Sequence, residues 1–365
     1  MTYPFYHIKR NQEPIVHSSE FNQDIKIYSD LLAKKGLPVI YSVPHLCLLA
    51  GVHIERILTI TKSNRIESYK RFKLKKKRGG FRVIQTPNDE LKYLQRWILK
   101  NILEKVPSHP SCKGFDKNTS IKHNADTHLK SEALLKLDLL RFYDSINERR
   151  IFGIFKSLGY HPNLAVSLAK ICTIVPDEMF ISSFRKKETE LKEYIVSKNE
   201  GILAQGSPTS PKLSNLITIN LDKRLAGLAN KNGLNYSRYA DDLTFSGNFK
   251  QLQKVKKVVY RIIREESLFP NYSKTKFIKL GGKFLVTGLN IQNNVSTVPK
   301  KKKKEIEHHL FHCIENGVEN HIKTAKINNR NFKDWLYGNI CFVFSIEEKK
   351  GIQYFKEFEK IQWPI

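Results

Sequence analysis

The chain has 365 residues, 40% of them hydrophobic, enough to bury a sizeable core in two or three lobes at roughly 150 residues per domain. Its 63 Lys+Arg against 35 Asp+Glu leave a formal charge of +28, a surplus larger than solubility requires and of the sign that suits a polyanionic partner, nucleic acid first. Secretion and membrane spanning are not expected: no segment approaches about 18 consecutive apolar residues, and Cys47, Cys112, Cys172, Cys313 and Cys341 are scattered without a Cys-x-x-Cys pair, as in a reduced cytoplasmic protein.

Residues 1–68 alternate helical signals such as "HLCLLAGVHIERIL" with short loops and read as an N-terminal helical extension. From Tyr69, "YKRFKLKKKRGGFRVIQTP" holds two alternating runs about Gly79 and Gly80, a hairpin signal because glycine tolerates the positive φ of a tight turn. Pro87 ends the second run. "DELKYLQRWILKNILEKV" is apolar at helical spacing, with Asp89 and Glu90 in the first turn where negative charge suits the helix dipole.

"EALLKLDLLRFYDSI" begins as a short apolar run, as in a buried strand, with Asp138 inside it. "GILAQGSPTSPKLSNLITINLDKRLAGLA" opens on a turn cluster and predicts one long helix, with Ser210 as its cap and Pro211 as its first residue. "LNYSRYADDLTFSG" reads strand–turn–strand, "QLQKVKKVVYRIIREE" as an amphipathic helix, and "KFLVTGLNI" as one more strand. After Val298 the composition shifts to "PKKKKKEIEHHLFHCIENG" and helical patterning dominates, which places a boundary near residue 295.

Successive strand residues point to opposite faces, so Asp241 and Asp242 serve one site only if the chain turns beside them. Asp138 joins them if the apolar segments pair into one sheet. Three clustered carboxylates are costly without cations, and hard divalent ions, Mg²⁺ or Mn²⁺, are the natural occupants. Two such ions about 3.5–4 Å apart can activate an attacking hydroxyl and stabilise a leaving phosphate oxygen. For an isolated Tyr-x-Asp-Asp, a solvated surface turn is the competing reading.

In chain order, "KKRGGFR", "LKLDLLRFYDS", "QGSPTSP", "YADD" and "YSKTK" resemble the fingers hairpin, first carboxylate motif, template-facing motif, paired-aspartate motif and lysine-bearing motif of reverse transcriptases. The resemblance implies an α+β, right-hand polymerase architecture: fingers over 69–135, an antiparallel-sheet palm over 136–294 with interleaved fingers elements, and a helical basic thumb over 295–365. It implies that Asp138, Asp241 and Asp242, with the Leu139 backbone carbonyl, hold two Mg²⁺ ions. Lys76, Lys77 and Arg82 would grip the triphosphate of an incoming dNTP, the forked guanidinium suiting phosphate oxygens. Tyr143 stands at the position whose ring excludes a ribose 2′-hydroxyl and so favours DNA synthesis, whereas Phe142 reads as core. Gln205 and Gly206 would let the backbone approach the nascent base pair, and Lys274 or Lys276 would protonate pyrophosphate.

"NADTH" at 124–128 and "VTG" at 286–288 are similar to signatures of retron reverse transcriptases. That subfamily resemblance implies a bacterial enzyme that binds a cognate structured noncoding RNA and primes from the 2′-hydroxyl of a guanosine. The product would be branched, RNA-linked DNA serving antiphage defence with a separate effector protein. Asn124, His128, Thr287, Gly288 and Lys300, Lys301, Lys302, Lys303 and Lys304 are the RNA-binding candidates, the lysines by phosphate contacts that read shape rather than sequence. His308 and His312 share a helical face, but no third ligand stands at zinc spacing, so RNA contact or plain helix surface is the reading. No nuclease motif is visible, which leaves template removal to a host RNase H. A group II intron-like or other defence-associated reverse transcriptase fits the same motifs, although the tail leaves no room for a maturase and endonuclease. A non-catalytic RNA-binding scaffold would be expected to have lost carboxylates that are present here.

Overall fold

The computed structural model describes residues 19–63, 65–75, 81–292 and 294–364. Helices α1 (Ser19–Lys34), α2 (Val43–Ala50) and α3 (Ile54–Lys62) precede a hairpin of β1 (Tyr69–Lys75) and β2 (Phe81–Pro87), paired antiparallel from Tyr69↔Pro87 to Lys75↔Phe81. Lys76, Lys77 and the predicted glycine turn lie outside the described residues. Helix α4 (Asp89–Asn101) starts at Asn88, whose side chain accepts from Leu91 N–H, and buries Leu91, Leu94 and Ile98 at helical spacing.

There follow α5 (Ile121–Asp126), β3 (Ala133–Asp138), α6 (Glu148–Leu158), α7 (Pro162–Ile171), β4 (Thr173–Ile174), α8 (Glu178–Ile181), α9 (Thr189–Lys198) and β5 (Ile202–Leu203). Next come α10 (Ser210–Ile217), α11 (Ile219–Lys231), β6 (Asn235–Tyr239), β7 (Asp242–Gly247), α12 (Phe249–Glu265), β8 (Lys276–Lys279), β9 (Leu285–Val286) and β10 (Leu289–Asn290). The chain finishes with α13 (Lys300–Asn316), α14 (Val318–Thr324), α15 (Phe332–Ile346) and α16 (Glu348–Glu359).

The central sheet is antiparallel in the order β6-β7-β3-β8. Its strand alternation divides two hydrophobic cores. From β3, Leu135 and Leu137 join Leu243 and Phe245 of β7 in the larger core, with Leu225 of α11 and Val259 of α12. Leu134 points the other way, into a second core with Phe284, Val286 and residues of α13, α15 and α16. The continuous apolar run of β3 thus reflects burial on both faces, each such leucine contributing about 1.5–3 kcal/mol. In the second core α15 and α16 approach so closely that a Cβ at Gly351 would lie 2.3 Å from Phe344 Cα, which explains a glycine inside a helix.

Three local predictions are corrected. The long helix after Pro211 breaks at Thr218, whose hydroxyl donates back to Ser214 O at 2.7 Å and competes with the ladder. Its N-cap is Thr209, while Ser210 is the first helical residue and donates to Ala204 O. "KFLVTGLNI" is not one strand but the β9–β10 hairpin, turning at Thr287 (φ 45°) and Gly288 (φ 85°), two positive values as in a type I′ turn. The β8 strand escaped prediction because "KFIK" is too short and too charged to show alternation.

Candidate active site

The tip of the β6–β7 hairpin is built from beneath. Arg238 of β6 is wholly buried, and its guanidinium donates to both oxygens of Asp222 in α11, at 2.9 Å from Nε and 2.7 Å from Nη2. Its Nη1 donates at 3.1 Å to Asn215 Oδ1 and to the carbonyl of Ala240, while the Tyr236 hydroxyl donates to Asp222 at 2.8 Å. Ala240 is thereby held at φ 55°, a left-handed conformation that turns the chain at once and lets Asp241 and Asp242 face the same side. Asp242 is the register partner of Asp138, and Leu139 N–H donates to Asp241 O at 2.9 Å. Three carboxylates from two segments therefore meet at one end of the sheet.

Their electrostatics are those of crowded anions. Burial, then repulsion from Asp138 and Asp242, pushes the Asp241 carboxyl up to about 6. Asp242, although its side chain reaches solvent, is raised as well, first by the protein surrounding it, with Lys136 and Lys274 opposing. Both oxygens of Asp138 are engaged: Lys274 Nζ lies 2.7 Å from Oδ1, and Asn271 Nδ2 donates to Oδ2 at 3.0 Å. The Lys274 ammonium pairs with Asp138 and opposes the rise at both Asp241 and Asp242. Among the described residues, no three His, Cys, Asp or Glu groups form a closed metal-ligand set. The donor chemistry suits a hard divalent ion, which would take the place of the Lys274 ammonium on Asp138.

A cavity of about 680 Å³ opens over these carboxylates and is lined also by Arg82, Tyr143, Gln205 and Lys274. Phe142 is buried in the larger core, with its ring 5.6 Å from that of Tyr143. Gln205 reaches the cavity while its carbonyl accepts from Gln85 N–H at 2.9 Å. Gly206 does not line it. At φ 134° an added Cβ would lie 2.9 Å from Gln85 O, so this glycine permits close approach of β2 of the β1–β2 hairpin rather than of a base pair. Lys276 is likewise displaced from its expected place: it pairs with Lys136 within the sheet and lies outside the cavity.

Asn124 and His128 correct the expectation of RNA contact, because both are buried and their polar atoms are spent within the protein. His128 Nδ1 lies 2.8 Å from Ser246 Oγ on β7 and Nε2 lies 2.7 Å from Ser237 Oγ on β6. Ser237 donates to Asn124 Oδ1 at 2.6 Å, and Asn124 Nδ2 reaches Thr287 Oγ1 at 3.4 Å. Burial holds the His128 imidazole neutral, down to about 3. Asn124 on α5 and His128 in the turn that follows it thus satisfy the hydroxyl-bearing face of the aspartate hairpin and join it to the β9–β10 turn. Thr287 donates to Ile121 O and Gly288 is exposed.

The lysine run divides. Lys303 pairs with Glu347 and Lys302 with Glu305, the latter also over the Trp335 ring, while Lys300, Lys301 and Lys304 are exposed. His308 and His312 belong to a four-imidazole cluster with His309 and His321, in which His309 Nδ1 and His321 Nε2 are 2.8 Å apart.

Sequence reading missed Asp222, Asn215 and Asn271, whose roles depend on partners distant in sequence. Arg238 did carry a signal, a charge at an inward position of an alternating strand between Tyr236 and Ala240.

Residues 74–291 match the family described as Reverse transcriptase (RNA-dependent DNA polymerase). The chain is 33% identical over 340 residues to the Retron Ec86 reverse transcriptase of Escherichia coli, covering 90% of this chain and 93% of that protein. It is 35% identical over 268 residues to the Retron Mx65 reverse transcriptase of Myxococcus xanthus, covering 72% and 61% respectively. The Retron Mx162 reverse transcriptase of the same organism is 27% identical over 341 residues, 90% of this chain and 68% of the other. Among solved structures, telomerase from Candida albicans with a TWJ fragment of telomeric RNA is similar at a TM-score of 0.41 and 14% identity, covering 80% of this chain and 63% of that one.

Proposed function

This chain belongs to the retron reverse transcriptases and is an RNA-directed DNA polymerase, and we propose that it copies part of one cognate structured noncoding RNA into branched, RNA-linked single-stranded DNA, primed from the 2′-hydroxyl of a guanosine. The observation that carries the reading is the meeting of Asp138, Asp241 and Asp242 at one cavity with Arg82, Tyr143 and Gln205. In this reading the three carboxylates and the Leu139 carbonyl hold two Mg²⁺ ions. Those ions, when bound, supply activation of the priming hydroxyl and charge stabilisation at the leaving oxygen.

The chain's own residues do the rest. Arg82, and Lys76 and Lys77 beside it in sequence, grip the triphosphate. Lys274, released from Asp138, offers its ammonium proton to the departing pyrophosphate. Tyr143 closes the cavity beneath the sugar, where a 2′-hydroxyl would collide with its ring. Gln205 steadies the nascent pair. Exposed Lys300, Lys301 and Lys304, three of a five-lysine run at a helix start where basic charge is unfavourable, gain from phosphate, so α13 supplies salt-sensitive RNA affinity. Antiphage defence in the bacterial cytoplasm with a separate effector, and template removal by a host RNase H, complete the proposal. Among the described residues no helix is long and apolar enough to cross a membrane.

The test is the nucleic acid that copurifies when the gene is expressed with its upstream flank. A single RNA bearing covalently branched DNA is expected; heterogeneous cellular RNA without attached DNA would sink the retron reaction. Separately, Tyr143→Ala is expected to relax discrimination against ribonucleotides by roughly tenfold or more, the scale of a lost steric contact. Incorporation ratios of dNTP to NTP measure it, and an unchanged ratio removes Tyr143 from that role.

A further inference from the structure

Residues 175–201, between β4 and β5, form a flap that the motifs leave without a role. It is anchored at three neighbours. Asp177 pairs with Arg71 of the fingers strand β1, and Glu190 pairs with Arg264, which also reaches the Tyr272 hydroxyl close to Asn271 and Lys274. The third anchor is Arg141, three residues beyond Asp138. Its Nε donates to the buried Glu188 at 2.9 Å, its Nη2 donates to Ser183 O at 2.7 Å, and its guanidinium lies 3.9 Å over the Phe184 ring. Arg141 makes these contacts from φ 43°, a conformation unfavourable for arginine that persists where the surroundings over-determine it.

The flap carries Arg185 and Lys187 to the cavity wall, where both are exposed. The charges around the cavity identify what they face. Arg141 is matched by Glu188 and Asp144, and Lys274 by Asp138. Lys187 enters none of the ion pairs formed among the described residues. A cavity of about 680 Å³ accommodates a nucleotide rather than a duplex, and the group there with most uncompensated charge is its triphosphate.

Resting on the polymerase reading above, we propose that Lys187, with Arg185 beside it, contacts the β- and γ-phosphates of the incoming nucleotide and the pyrophosphate that leaves, opposite Arg82. Arg141 is the positioning residue that seats this second basic wall against the segment that follows Asp138. The fingers hairpin and the flap then grip the phosphates from two sides, and one side moves with Asp138.

The experiment is single-nucleotide extension of a preannealed primer–template by the full chain, with pyrophosphate as product inhibitor. Lys187→Gln is expected to raise the KM for dNTP and the inhibition constant of pyrophosphate each by roughly tenfold, the loss typical of one charge-assisted contact, with a smaller change in kcat. Lys187→Arg should restore both. Arg141→Gln should move the same two constants, and Arg141→Lys should not rescue, since an ammonium cannot reproduce the planar fork over Phe184. Unchanged constants in Lys187→Gln, or a rise confined to the KM for primer–template, overturns the inference alone. A wild-type chain that extends nothing overturns the polymerase reading and this inference with it.

Discussion

Replacing Asp241 and Asp242 together by Asn is expected to lower Mg²⁺-dependent nucleotide incorporation by at least about three orders of magnitude, since metal-assisted stabilisation of transferring phosphoryl groups is worth several kcal/mol. The fold should survive and gain. With the Asp241 carboxyl pushed up to about 6 by burial and its neighbours, the folded state binds that proton more tightly than the unfolded chain does. Metal-free wild type therefore loses stability as pH rises from the ordinary carboxylate range through about 6, and pays the full cost at neutral pH. The Asn variant lacks this slope and should melt higher at pH 7.5 without Mg²⁺, while retaining RNA. Residual synthesis near the wild-type rate would refute the site, and a variant that unfolds would refute the electrostatic account.

Asp222→Asn should be the most destabilising single change near the site, by about 3–5 kcal/mol, because it leaves the fully buried Arg238 guanidinium uncompensated. It should also reduce incorporation, since Arg238 holds the Ala240 carbonyl and hence the turn that aims Asp241. Denaturant midpoints and extension rates measure the two effects. The pair Asp222→Leu with Arg238→Met removes both charges and should recover much of the stability but not the activity. A loss below about 1 kcal/mol in Asp222→Asn would mean that water reaches the pair.

The elements that could be read from sequence are those whose periodicity is local. The β1–β2 hairpin, α4, α12 and the "YADD" hairpin announce themselves through alternation, helical spacing and turn residues. Asp138 belonged with the hairpin only through sheet register, which the apolar run of β3 suggests and Asp138↔Asp242 realises. What escaped reading was set by tertiary partners. Asn124 and His128 look like free polar groups in sequence, and only the serine hydroxyls of β6 and β7 explain why they are buried. Gly206 looks like a substrate-facing turn until β2 is seen pressed against it. Arg141 gives no local sign that its backbone is left-handed or that its partners lie some forty residues later.

The strand that bears Asp138 has a leucine seated in each of two hydrophobic bodies. It is their common wall, so neither body can be loosened without freeing one side of the carboxylate's own backbone. A displacement of the C-terminal helices would reach β3 through the core that Leu134 shares with Ile306 and Leu310 of α13. In such an arrangement the anchorage of the C-terminal helices and the seat of Asp138 are opposite faces of one strand.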